Sequence, residues 1–210
     1  MSMMRHYLLL SVTKSILFRY LFMDSLNPEK FIELVSAAKK GNQDAFSAIY
    51  AHYFTPIFRF IFLRVKNRAD AEDLTQSTFL KAWNKIFDYQ QREMPFSSWL
   101  YSIARNTVID FWRKRKEYEI SEPKNSSTSR ETSVEDLLEK EEALSLVEEA
   151  IKLLTDEQQE VIILRFVEDL SYQEISQIME KNQDAVRQIY SRAIKILKER
   201  LKNENERKGN

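Results

Sequence analysis

The amino-acid sequence predicts an all-α protein: two small helical domains joined by a flexible acidic linker, the C-terminal one a helix-turn-helix. Three observations carry this. Only 2 glycines and 4 prolines occur in 210 residues, too few for the tight turns of a many-stranded fold. Apolar side chains recur at three- and four-residue spacing through most of the chain, the period of helices with one buried face. Across residues 117–133 that period gives way to Glu, Ser, Thr, Lys, Asn and one proline, a composition that buries too little apolar area to offset its ordering entropy.

The elements follow in order. Residues 1–28 read as an N-terminal extension. Its oily stretch is interrupted by Lys14 and Arg19, is too short to cross a bilayer and precedes no small-residue cleavage site. It is either an interfacial amphipathic helix with Leu9, Ile16 and Leu17 on its apolar side, or sequence ahead of a natural start at Met23. The first domain spans 29–116. Phe31, Leu34, Val35 and Ala38 share a helix face, and Gly41-Asn42 ends that helix in a left-handed cap. A second pattern runs from Ala45 through Tyr53, past Pro56, to Phe62. Asn67-Arg68 breaks it, and Asp70 precedes a third run containing Ala71, Leu74, Thr78, Phe79, Ala82, Trp83 and Ile86. Residues 88–95 interrupt the period, and Phe96 opens a helix that buries Trp99, Leu100, Ile103, Ala104, Val108 and Phe111.

The linker spans 117–139 and the second domain 140–201, with a frayed tail at 202–210. Leu144, Val147, Ile151 and Leu154 mark the second domain's first helix. Thr155 with Gln158, and Ser171 with Glu174, have the spacing of capping boxes. The first of these opens a helix expected to reach Asp169; the second opens a short helix, followed by a polar break at 180–183 and a long helix through Leu197.

Formal charge sums to zero but is unevenly placed: residues 29–116 carry +6, 117–160 carry −10, 161–210 carry +2 and 1–28 carry +2. A neutral chain arranged this way still presents basic faces to a polyanion. With no cysteine and only His6 and His52, there is no thiolate or histidine-rich metal site. A nucleophile–histidine arrangement and a phosphate-cradling glycine loop are also missing, so neither enzymatic activity nor a cofactor is expected.

Two constellations carry chemistry. In residues 171–197, a short capped helix braces a longer one whose solvent face can enter a major groove about 12 Å wide. With Val186 and Ile189 inward, Gln183, Asp184, Arg187, Gln188 and Ser191 point outward, while Arg192 and Lys195 suit phosphate. The plainer reading is a helical hairpin with a solvated face. In residues 96–116, Arg105, Asn106, Asp110, Arg113, Lys114, Arg115 and Lys116 gather beside Tyr89, Phe96, Trp99, Tyr101, Phe111 and Trp112. Most of these aromatics are core; one or two left exposed beside cations would suit single-stranded DNA, whose bases stack while phosphates meet charge. Four cations near a helix C-terminus also suit the macrodipole alone.

Taken together, AEDLTQSTFLKAW (71–83), FSSWLYSIARNTVIDFWRKRK (96–116), LTDEQQEVIILRFVEDLSYQEISQIM (154–179) and AVRQIYSRAIKILKERL (185–201) closely resemble, in order, the bacterial RNA polymerase sigma factors of the extracytoplasmic-function class. The resemblance covers roughly residues 30–115 and 140–201. It implies that Asp73, Gln76, Phe79 and Trp83 dock on the coiled coil of the polymerase largest subunit, with Leu74 and Ala82 structural. It places Arg105, Asn106, Asp110 and Arg113 on the −10 element, Lys114 and Arg115 on phosphate, and a base-capturing loop at 88–95. It assigns Gln183, Asp184, Arg187, Gln188, Ser191, Arg192 and Lys195 to the −35 duplex. The implied partners are core polymerase (coiled coil and flap), promoter DNA and an anti-sigma factor; the implied location is cytoplasmic, without stable membrane insertion. A stand-alone helix-turn-helix regulator is the competing reading. The chain departs from the family in its N-terminal extension and in the helix-turn-helix bend, where Glu180 replaces the usual glycine and Lys181 an apolar residue, so a longer or differently shaped turn is expected.

Overall fold

How the helices begin and end explains most of the architecture. The computed structural model describes the backbone of residues 28–121 and 152–208, so most of the N-terminal extension and of the linker, with Leu144, Val147 and Ile151, lies outside the described residues. The chain divides into two compact units between Glu131 and Thr132. Every described element is helical.

In the first unit, α1 (Pro28–Lys39) starts on a proline, whose missing N–H costs nothing at a helix's first position. It ends as expected at Gly41, φ 85°, where the N–H of Asn42 reaches back to the Ala37 carbonyl at 3.2 Å. Asn42 has a further duty: its side chain accepts from Ala45 N–H at 2.9 Å and starts α2 (Gln43–Val65). That helix continues through Pro56, which forfeits the bond to the His52 carbonyl. Burial on several sides outweighs the loss. Ile49, Ile57, Phe60, Ile61 and Leu63 are fully enclosed, each contributing about 1.5–3 kcal/mol of transfer free energy. Helix α2 is central, packing on α1, α3 and α4.

Lys66, at φ 56°, closes α2. Asn67 then caps α3 (Arg68–Lys85), accepting from Asp70 N–H at 3.0 Å. The helix therefore begins ahead of Asp70, which lies in its first turn rather than before it. Buried Thr75 and Thr78 return their hydroxyls to the carbonyls of Ala71 and Leu74 at 2.7 Å, which lets a polar helix pack closely. A 3-10 turn, Ile86–Asp88, leads to the loop before α4 (Phe96–Ser121). Helix α4 runs five residues past 116, into the expected linker, because the sequence offers no glycine or proline before Pro123.

In the second unit both capping boxes are present. Thr155 and Gln158 exchange bonds of 3.4 and 3.1 Å at the start of α5 (Asp156–Ile162). Ser171 and Glu174 do so at 3.2 and 2.8 Å for α6 (Tyr172–Met179). The helix expected to reach Asp169 changes pitch instead. A π turn at Ile163–Val167 closes with Glu168 N–H on the Ile163 carbonyl at 3.0 Å, and Asp169 turns left-handed at φ 52°. Four consecutive buried residues, Val161 to Leu164, require packing all round the chain there, which a one-sided helix does not supply. Glu180 itself adopts the left-handed conformation a glycine would take, φ 54° and ψ 41°. Lys181 donates its N–H to the Ser176 carbonyl at 3.0 Å and pairs through Nζ with Glu157 at 2.9 Å, so a charged residue finds a partner on α5. Asn182 accepts from Ala185 N–H at 2.7 Å ahead of α7 (Gln183–Lys208).

These joints set up opposite substitutions. A Cβ at Gly41 meets nothing within 4 Å, so Gly41→Ala pays only the left-handed backbone penalty. Urea unfolding is expected to show it about 1 kcal/mol less stable, and Glu180→Gly about 0.5–1 kcal/mol more stable.

Candidate nucleic-acid interface

Helix α3 presents a mixed face. Asp73 and Gln76 are exposed, and Leu80, four residues beyond Gln76, is 63% exposed. Phe87, in the 3-10 turn, is 55% exposed and edge-on to half-buried Trp83, with ring centres 6.5 Å apart. Trp83 also leans on Phe46 at 4.9 Å. Phe79 lies elsewhere: it is 3% exposed and packs on Tyr50 at 4.6 Å. It supports this surface from beneath and does not line it. Leu80 and Phe87 were missed in the sequence. The available signal was spacing, since Asp73, Gln76, Leu80 and Phe87 recur at three, four and seven residues.

Helix α4 and the loop before it form a second surface. Tyr89, Phe96 and Tyr101 are buried, Trp99 and Phe111 half-buried, and Trp112 is 40% exposed. The loop is anchored by Tyr89, whose hydroxyl donates to the Met94 carbonyl at 3.0 Å and whose ring meets Phe96 at 5.2 Å and Trp99 at 5.1 Å. The Lys39 ammonium donates to the Tyr89 carbonyl, tying the loop to α1. Between Ile32, Ser36, Lys39 and Lys40 on one side and Tyr89 and Gln91 on the other lies a cavity of about 460 Å³. Gln90, Gln91 and Arg92 line an open depression beside it. Burial also lowers the His52 pKa, beside Phe31 and Tyr53.

Along α4, Asn106, Asp110 and Arg113 form one solvent-facing stripe, and Arg105, Ile109, Trp112 and Lys116 the next. Arg105 is half-buried; Asn106, Arg113, Lys114 and Arg115 are exposed. Asp110 accepts from Arg113 at 2.9 Å and faces Lys81 of α3 at 3.8 Å, while Lys81 donates to Thr107 at 3.1 Å. The Arg115 guanidinium sits 5.5 Å from the Trp112 ring centre. An exposed indole beside exposed cations suits stacked bases and their phosphates.

The third surface is the start of α7. With Val186 and Ala193 buried, Asp184, Arg187, Gln188, Ser191, Arg192 and Lys195 are exposed and Gln183 half-buried, so all seven sequence-selected residues fall on one helix. Arg187 donates to Asp184 at 3.0 Å and Gln183 at 3.4 Å. Tyr172, which sequence reasoning did not single out, faces Arg165, Arg187 and Tyr190. Burial and neighbouring Tyr172 raise the Tyr190 pKa, opposed by Arg165.

The family model for sigma-70 region 2 matches residues 49–118, and that for sigma-70 region 4 matches residues 150–199. The relatives are RNA polymerase sigma factors. The chain is 36% identical over 173 residues to the ECF RNA polymerase sigma factor BldN of Streptomyces coelicolor, covering 80% of this chain and 64% of BldN. It is 31% identical to the ECF RNA polymerase sigma factor SigW of Bacillus subtilis, covering 69% of this chain and 82% of SigW. The chain belongs to the ECF sigma factors of the sigma-70 family. As a sigma factor it binds core RNA polymerase and directs promoter recognition. Its fold superposes on RpoE of Bartonella quintana, solved with the anti-sigma factor NepR, with a TM-score of 0.60 and 26% identity over 75% of this chain and 96% of that one. Among the described residues of this sigma factor, no helix is long and apolar enough to cross a membrane, and no group of three His, Asp or Glu side chains is placed to hold a metal.

Burial raises the Tyr89 pKa from 10.0 to about 12. A raised folded-state pKa gives stability that is fully present below pH 10 and lost as pH climbs towards 12, because the unfolded chain ionises first. Tyr89→Phe lacks the hydroxyl bond to Met94 and is expected to be about 1 kcal/mol less stable at neutral pH. That gap should close between pH 10 and 12 in urea unfolding followed by circular dichroism. A constant gap would show that this hydroxyl is not held protonated by burial.

Proposed function

We propose a division of labour among the three surfaces. Asp73, Gln76, Leu80, Trp83 and Phe87 dock on the coiled coil of the largest subunit of core polymerase. Helix α4 and residues 88–95 hold the non-template strand of the −10 element: Arg105, Asn106, Asp110 and Arg113 meet bases, Lys114 and Arg115 meet phosphate, and the cavity beside Tyr89 receives an unstacked base. Extruding that base costs a few kcal/mol, which stacking and edge contacts must recover. Gln183, Asp184, Arg187, Gln188, Ser191, Arg192 and Lys195 of α7 engage the −35 duplex, and the same unit meets the polymerase flap.

One observation carries the reading: the two units offer different chemistry. Helix α4 sets exposed Trp112 among cations, which suits single strands, whereas α7 sets Arg and Gln on a helix braced for a major groove. An isolated duplex-binding regulator has no use for the first surface or for exposed Leu80 and Phe87. The complex of RpoE with NepR supports an anti-sigma partner here as well, covering the docking surfaces until release. The site of action is the cytoplasm, with the polymerase.

Run-off transcription with purified core enzyme tests the docking assignment. Leu80→Asp is expected to abolish core binding and transcription while leaving the unfolding midpoint unchanged, because the side chain is 63% exposed. Phe79→Ala should instead lower folding stability by about 3–5 kcal/mol, as truncation of a buried aromatic does. Full activity of Leu80→Asp would remove this face of α3 from the docking assignment, and specific operator binding that needs no polymerase would count against the division of labour itself.

A further inference from the structure

The ring of Tyr172 lies where three parts of the helix-turn-helix unit meet. Tyr172 opens α6 and is half-buried. Arg165, from the π turn, places its guanidinium 5.3 Å from the ring centre; Arg187, from α7, places its own at 5.6 Å; Tyr190, also on α7, meets the ring edge-on at 5.7 Å. The π turn supplies the first contact, since five-residue closure offsets every side chain after Ile163 from its α-helical position. Arg165 is then fixed by a 3.0 Å bond to the Leu170 carbonyl and by Asp169 at 3.6 Å.

Arg187 is the more consequential neighbour. An exposed arginine on a helix otherwise samples many rotamers. Here its N–H groups are held by Asp184 and Gln183, and the negative face of an aromatic ring attracts the guanidinium as a whole. Bidentate pairing with a base edge demands one orientation of that planar fork, whereas attraction to phosphate does not.

We propose that Tyr172 is a positioning residue for −35 specificity: its ring holds the Arg187 guanidinium in the orientation that meets a base edge. This deepens the reading of α7 given above and rests on it. Tyr172 acts through Arg187, so its loss reduces discrimination at one base pair and leaves attachment to phosphate intact.

The test uses the full chain with core polymerase, transcribing a promoter library with each −35 base pair substituted in turn. Arg187→Ala is expected to flatten the preference at the pair it reads. Tyr172→Leu should weaken the preference at that same pair by about two- to fivefold, the range of exposed cation–π contacts. Tyr172→Phe keeps the ring and should retain the wild-type profile. In the free protein, NMR should show an upfield ring-current shift of the Arg187 δ-methylene protons in wild type and Tyr172→Phe. If Arg187→Ala leaves every preference intact, the reading of α7 falls and the proposal with it. If Arg187→Ala flattens one pair while Tyr172→Leu lowers all promoters evenly, or Tyr172→Phe behaves like Tyr172→Leu, the proposal alone is overturned. Absence of the ring-current shift in the wild-type protein overturns it too, whether or not Tyr172→Leu folds.

Discussion

Asparagine side chains at 42, 67 and 182 each accept a backbone N–H from three residues ahead, at 2.9, 3.0 and 2.7 Å. Each follows, within two residues, a left-handed residue that closed the preceding helix: Gly41, Lys66 and Glu180. With only two glycines in the sequence, the chain makes two of these three joints from ordinary side chains and offsets the backbone cost with a cap worth about 1 kcal/mol. The joints are short, so each fixes the direction of the helix it opens. Asn67 sets which side of α3 meets α2, hence that Leu80 faces out. Asn182 does the same for α7 and its outward face. Both surfaces depend on these turns before any partner is bound.

The features legible in the sequence were those governed by local chemistry. Both capping boxes and the Gly41 cap need only residues within three or four positions, and all three formed. The outward face of α7 was legible for the same reason, because one helical period suffices once Val186 is known to be buried. Features decided by distant packing were not. Phe79 and Leu80 are adjacent and both apolar, and which is enclosed depends on how α3 packs against α2, where Phe79 meets Tyr50. The π turn arose where Val161 to Leu164 must all be covered, overriding a period that pointed to a straight helix as far as Asp169. Tyr172 was overlooked because its partners come from positions seven before it and fifteen and eighteen after it.

An acidic residue within a stripe proposed to face DNA looks like a liability, yet α4 and α7 each contain one at the same spacing. Asp110 pairs with Arg113 at 2.9 Å, and Asp184 with Arg187 at 3.0 Å. Exposed pairs of this kind contribute at most about 1 kcal/mol to stability, so stability does not account for them. Their effect is on geometry and selectivity. The carboxylate holds the guanidinium in one place, and it cancels charge that would otherwise draw the arginine to any phosphate. Asp110 is held in turn by Lys81, so the orienting group is itself anchored to the neighbouring helix. Such a chain gives up non-specific affinity, which rises with each free cation, in favour of contacts that count only when a particular base is in place. Under the proposed division of labour, that trade suits a promoter-recognising subunit with no net charge.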